Sequence, residues 1–70
     1  MTEVKAELVG SVWKVKIQAG AQVAEEDELL VLESMKMEIP VTAPRAGTVK
    51  EVRVKEGEVV KEGQVLVVLE

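Results

Sequence analysis

The chain carries its own sequence twice. Thr2 to Glu33 aligns without a gap on Ile39 to Glu70, at an offset of 37 residues. Identical pairs run the length of the match: Val4/Val41, Ala6/Ala43, Gly10/Gly47, Val12/Val49, Val15/Val52, Gly20/Gly57, Val23/Val60, Glu25/Glu62, Leu29/Leu66, Val31/Val68, Leu32/Leu69 and Glu33/Glu70. Repeats constrain architecture before any local signal does. Two copies are too few for a solenoid. The repeat therefore predicts a closed, pseudo-two-fold arrangement within one domain, residues 1–70, with halves 2–33 and 39–70.

Each half reads as strand. Trp13–Ile17 and Lys50–Val54 alternate with period two, which predicts that Val15, Ile17, Val52 and Val54 face inward. Gly20 and Gly57 punctuate the following turns, where positive φ is expected. Gly10 and Gly47 are read as turn or bulge glycines. Short segments at Val23 and Val59–Val60 follow, then polar turns at 25–27 and 62–64, then a Leu/Val-rich strand that closes each copy. β-Branched residues crowd every apolar run and no helical stripe is long enough, so the expectation is all-β, a sandwich or flattened barrel. Pro40 and Pro44 should confine the strand between them to a short edge. Trp13, the sole aromatic, is expected half-buried at a barrel edge, with a contact anchor as the alternative.

Composition removes several classes of function. There is no cysteine and no histidine. A disulfide framework, a thiolate metal site and the commonest acid/base catalyst are thereby excluded. No nucleophile elbow or phosphate loop is written in the chain, so neither catalytic nor metal-binding residues are expected. The net charge is −4, with both signs interleaved. Nucleic acid would demand a phosphate-tracking basic patch or aromatic stacking platforms, and neither is present. No apolar run approaches a membrane span and no signal-peptide layout opens the chain. The expectation is an acidic cytoplasmic module with no membrane or nucleic-acid partner.

Removing both copies leaves only Ser34, Met35, Lys36, Met37 and Glu38, with Lys36 in the middle. The segment joins the apolar run Leu29–Leu32 to the extended run Ile39–Thr42, which reads as a tight hairpin with Lys36 near its tip. The tip lacks the Asn-Gly, Asp-Gly or Gly-X chemistry that such turns favour. A broken local rule in an otherwise consistent sequence marks a candidate functional site. The repeat places this hairpin near the pseudo-two-fold axis at one pole. The ends of the chain occupy the equivalent position at the other pole.

Glu33-Ser34-Met35-Lys36-Met37-Glu38, set between half-repeats and with these glycines, resembles the biotinyl/lipoyl attachment family, and its closest form is the freestanding attachment protein. The resemblance covers essentially the whole chain. It implies a flattened β-barrel of two four-stranded antiparallel sheets (a barrel-sandwich hybrid) and a non-catalytic carrier. Biotin protein ligase would attach biotin to Lys36, and this swinging arm would shuttle CO2 between biotin carboxylase and carboxyltransferase sites of an acyl-CoA carboxylase. Met35 and Met37 would flank the lysine as recognition residues, with one of them packing partly on the barrel. Glu33, Ser34 and Glu38 would serve the hairpin or ligase recognition. Acylation would lower the net charge by one further unit.

The sequence departs from parts of that pattern. Glu7-Leu8-Val9-Gly10 stands where carriers of large carboxylases often have Pro-Met-Pro-Gly, and the gapless repeat leaves no room for an inserted loop. Lipoyl domains typically read Glu-Thr-Asp-Lys-Ala at the hairpin. Glu33 and Lys36 match that run, whereas Met35 and Met37 do not, and Gly20 and Gly47 keep lipoyl-like spacings. Lipoate, attached by a lipoyl ligase, alone or alongside biotin, is the alternative. An unmodified β interaction module is the reading from another class.

Overall fold

A computed structural model describes all residues, Met1–Glu70. Eight strands follow one another: β1 (Thr2–Lys5), β2 (Gly10–Val15), β3 (Gln22–Val23), β4 (Glu28–Ser34), β5 (Met37–Thr42), β6 (Gly47–Val52), β7 (Val59–Val60) and β8 (Val65–Leu69). They form two four-stranded sheets, ordered β1-β8-β6-β3 and β5-β4-β2-β7, and every pairing is antiparallel. There is no helix, and hence none long and apolar enough to cross a membrane.

Each sheet takes two strands from each repeat, so the halves interleave rather than stack. One apolar cluster fills the space between the sheets, with Leu29, Leu30, Leu32, Leu66 and Leu69 fully buried beside Val12, Val49, Val60 and Val67. No polar or charged residue is buried. Burial of apolar surface therefore carries the stability, because the three ion pairs are all exposed and such pairs contribute about 0–1 kcal/mol each.

The pseudo-two-fold is visible in hydrogen bonds that recur at the repeat offset. The Gly20 amide donates to the Val49 carbonyl (2.8 Å), and the Gly57 amide donates to that of Val12 (2.7 Å). Lys16 to Leu29 (2.9 Å) is matched by Arg53 to Leu66 (2.8 Å). The pairing Thr2↔Leu69 has its counterpart in Ile39↔Leu32. This last relation corrects the expected position of the hairpin. The axis does not pass near it but exchanges the rungs at the base of the hairpin with those beside the termini.

Four other expectations are corrected. The strands expected at 13–17 and 50–54 begin three residues earlier, at Gly10 and Gly47, and stop at Val15 and Val52. A bulge falls between Val12 and Lys14, and another between Val49 and Glu51. The extra residue lets Val12 and Val15 both face inward, although three apart, so strict alternation misplaces the strand. Val54 is buried as expected, while Val15, Ile17 and Val52 pack half-buried against the core.

Gly10 and Gly47 are not turn glycines. They open β2 and β6 with no positive φ, and what they supply is space. A β-carbon at Gly10 would lie 2.8 Å from the Glu33 carbonyl oxygen. Gly20 and Gly57 do have the expected positive φ, 94° and 90°. Trp13 is not at an edge either. It sits at the bulge of β2, an inner strand, and is 44% exposed. Pro40 lies on an edge strand as expected, but the two prolines do not bound a short strand: β5 runs from Met37 to Thr42 through Pro40, because the free side of an edge needs no ladder donor.

Candidate functional site

β4 and β5 form the longest hairpin, paired from Glu28↔Thr42 to Ser34↔Met37. Only Met35 and Lys36 lie beyond that last pair, so they are the two central residues of the turn. Both have positive φ, 52° and 64°. Positive φ at both positions belongs to the type I′ turn, whose twist matches that of paired strands. Residues with a β-carbon pay about 1–2 kcal/mol to occupy that region, which explains why the usual turn chemistry is Asn-Gly. The fold holds the strained turn in place because β4 is an inner strand anchored by buried Leu29, Leu30 and Leu32.

The side chains around the turn point into solvent. Met35 is 92% exposed and Met37 62%, and Lys36 is exposed too. The Lys36 ammonium makes no ion pair and no side-chain hydrogen bond. The expectation that one methionine packs partly on the barrel fits Met37 only weakly, and Met35 not at all.

One rung below, Glu33 and Glu38 face each other directly across the ladder, both exposed. Like charges in that arrangement repel. Neither is in an ion pair. Ser34, half-buried, is paired with Met37. Behind Glu33 and Ser34 stands Gly10, whose missing side chain admits the Glu33 carbonyl and leaves Ser34 Cβ at 3.4 Å from the place of a β-carbon. Sequence reasoning identified every hairpin residue but not this support. The Gly10/Gly47 identity is its signal, which the sequence assigns to turns or bulges.

This arrangement offers one reactive group, a primary amine on a narrow protrusion that another protein can surround without unfolding the barrel.

Comparison with known proteins agrees with the geometry. Residues 2–69 match the biotin/lipoyl family described as biotin-requiring enzyme. The biotin/lipoyl attachment protein of Bacillus subtilis is 52% identical over 66 residues, which is 94% of this chain and 90% of that protein. The biotinylated protein TB7.3 homolog of Mycobacterium leprae is 46% identical over 67 residues, 96% of this chain and 94% of that one. Pyruvate carboxylase of Bacillus subtilis is 42% identical over 69 residues, but the chain spans only 6% of it. Among solved structures, Kluyveromyces lactis urea carboxylase superposes with a TM-score of 0.93 at 29% identity, covering 99% of this chain and 6% of that one. A single-chain, multi-domain long-chain acyl-CoA carboxylase gives 0.87 at 36% identity, over 94% of this chain and 6% of that one. By family match, by identity along nearly its whole length and by fold, this chain belongs to the biotin/lipoyl attachment family and resembles a short segment of larger carboxylases.

Proposed function

We propose that this protein is a biotin carboxyl carrier, acylated on Lys36 by a biotin protein ligase and serving the biotin carboxylase and carboxyltransferase of a multi-subunit acyl-CoA carboxylase in the cytoplasm. The observation that carries this reading is the place of Lys36. It is the second central residue of a two-residue turn with positive φ at both positions, exposed and without a partner. A free ammonium is not nucleophilic, so attachment requires an enzyme that takes the proton and presents an activated carboxyl group. Nζ then forms an amide with the carboxyl carbon as the activating group leaves.

The cofactor supplies a ureido nitrogen able to carry a carboxyl group, and the protein supplies position. Lys36 holds the arm, and the paired β4–β5 hairpin keeps its root fixed relative to the barrel. A tethered group meets its second active site at high effective concentration once the first is engaged. Rigidity at the root and freedom beyond it suit that task.

Coexpression with biotin protein ligase and free biotin, followed by a streptavidin blot, tests the reading. The native protein gives a signal and Lys36→Ala gives none. No signal from native protein would sink it.

Lipoate attached to the same lysine by a lipoyl ligase is the second reading, favoured by Glu33 and Lys36 in lipoyl-like positions. Intact mass distinguishes the two. Met35→Asp combined with Met37→Ala should move acylation towards lipoate, and an unchanged preference for biotin counts against the methionines as selectors.

A further inference from the structure

The pseudo-two-fold gives each surface position a reference in the other half of the same molecule. On the outer face of the β5-β4-β2-β7 sheet, Pro40 pairs with Val31, Val31 with Lys14, and Val59 with Ser11. The same rungs in the other sheet are Glu3 with Val68, Val68 with Glu51, and Gln22 with Thr48. Trp13, at the first bulge, corresponds to Lys50 at the second. The scaffold is one, but its covering differs. Pro40, Trp13 and Val59 replace Glu3, Lys50 and Gln22 on the sheet that carries Lys36.

These replacements are exposed, with Trp13 at 44% and Val59 at 67%. Lys14 Nζ stands over one face of the Trp13 ring, 5.2 Å from its centroid, in a cation–π contact, and the indole remains 44% exposed. The face runs without interruption into Glu33 and Glu38, whose carboxylates lack a cationic partner and lie on the same side of the sheet as Ser11 and Val59. In the opposite sheet, Lys50 Nζ is instead 3.0 Å from Met1 Sδ.

We infer that the outer face formed by Trp13, Pro40 and Val59, with the Glu33/Glu38 pair at its rim, is the docking surface for the enzyme that acylates Lys36. The inference rests on the reading of Lys36 as an attachment site. The matching surface on the partner is an apolar recess for the indole beside Lys or Arg side chains that neutralise the two carboxylates. Distance selects the acylating enzyme over the carboxylase. The rung of Val31 and Pro40 lies two residues from that of Glu33 and Glu38, roughly 7 Å along the strand. The acylating enzyme reacts at Nζ, about five bonds from Cα, and so has to sit against the barrel. A carboxylase site acts at the far end of the acylated arm, several bonds beyond Nζ, and so needs no contact with this face to reach its group.

The test is a titration of uniformly 15N-labelled, unmodified protein with unlabelled biotin protein ligase, without ATP so that no acylation occurs. Trp13 contributes the only indole N–H resonance. That signal, with the amides of Val31, Glu33 and Glu38, is expected to shift or broaden, while those of Lys50 and Gln22 stay unmoved. Response confined to Met35–Met37 overturns the inference, as does a shift on dilution of the carrier alone, which would assign the face to a second copy. In kinetics, Trp13→Lys installs the residue of the other half. It should lower kcat/KM for acylation about tenfold, through KM, with kcat nearly unchanged. Lys50→Trp should leave both constants as they are. Equal kcat/KM for Trp13→Lys and native protein overturns the docking surface alone. Absence of any acylation of native protein overturns the carrier reading as well.

Discussion

Glu26 and Gly63 are repeat counterparts that share one backbone conformation, with φ of 72° and 86°. Their amides make equivalent hydrogen bonds, Glu26 to the Ala43 carbonyl and Gly63 to that of Ala6, both 2.8 Å. The turn thus demands left-handed backbone in both halves, and only one half meets it with glycine. Glu26→Gly should stabilise the protein by about 0.5 kcal/mol, the relief of strain exceeding the added entropy of the unfolded chain. A higher urea midpoint at unchanged slope is the expected result.

Gly10 has ordinary φ, so its replacement tests space alone. Gly10→Ala places a β-carbon against the Glu33 carbonyl and should cost about 1–3 kcal/mol, with amide shifts concentrated at 33–38. At Gly47 the nearest obstacle is Arg45 Nη1 at 2.8 Å, the end of a flexible side chain, and the Glu70 carbonyl is at 3.0 Å. Gly47→Ala should be the milder change. Thermal unfolding of the two variants ranks them.

The turn itself is strained at Met35, which has φ of 52°. Asparagine tolerates that region. Met35→Asn should slow hydrogen exchange at the Met37 and Glu38 amides and raise stability by ~0.5–1 kcal/mol. A variant with unchanged exchange would show that the turn carries no such strain.

Stability should follow burial and not charge. Leu66, fully buried in the common core, should cost about 2–5 kcal/mol when changed to Ala. Glu28→Gln breaks the exposed pair with Lys16, 2.6 Å apart, and should cost less than about 1 kcal/mol. Denaturation of both variants at low and high salt measures the contrast.

The repeat made much of this molecule legible. It led to the all-β closed fold, the positive φ at Gly20 and Gly57, and the isolation of Lys36 at a hairpin tip. What it obscured has identifiable physical causes. The bulges at residues 13 and 50 insert one residue into an alternating pattern, so periodicity places the strands too late. Gly10 looked like punctuation because sequence reports the absence of a side chain but not whether dihedral freedom or space requires it. The axis was misplaced because an offset shows that two halves correspond and leaves open which ends they exchange. Reading Trp13, Pro40 and Val59 as one surface needed the strand register. They lie in three different strands.

The central claim is that Lys36 alone accepts the cofactor, and that the cofactor is biotin. Intact-mass analysis after incubation with biotin protein ligase, biotin and ATP tests it most directly. Native protein should gain one biotinyl group, with net charge moving from −4 to −5 as the ammonium becomes an amide, and Lys36→Arg should gain none. Native protein that stays unmodified, or Lys36→Arg that still gains the biotinyl mass, would contradict the account.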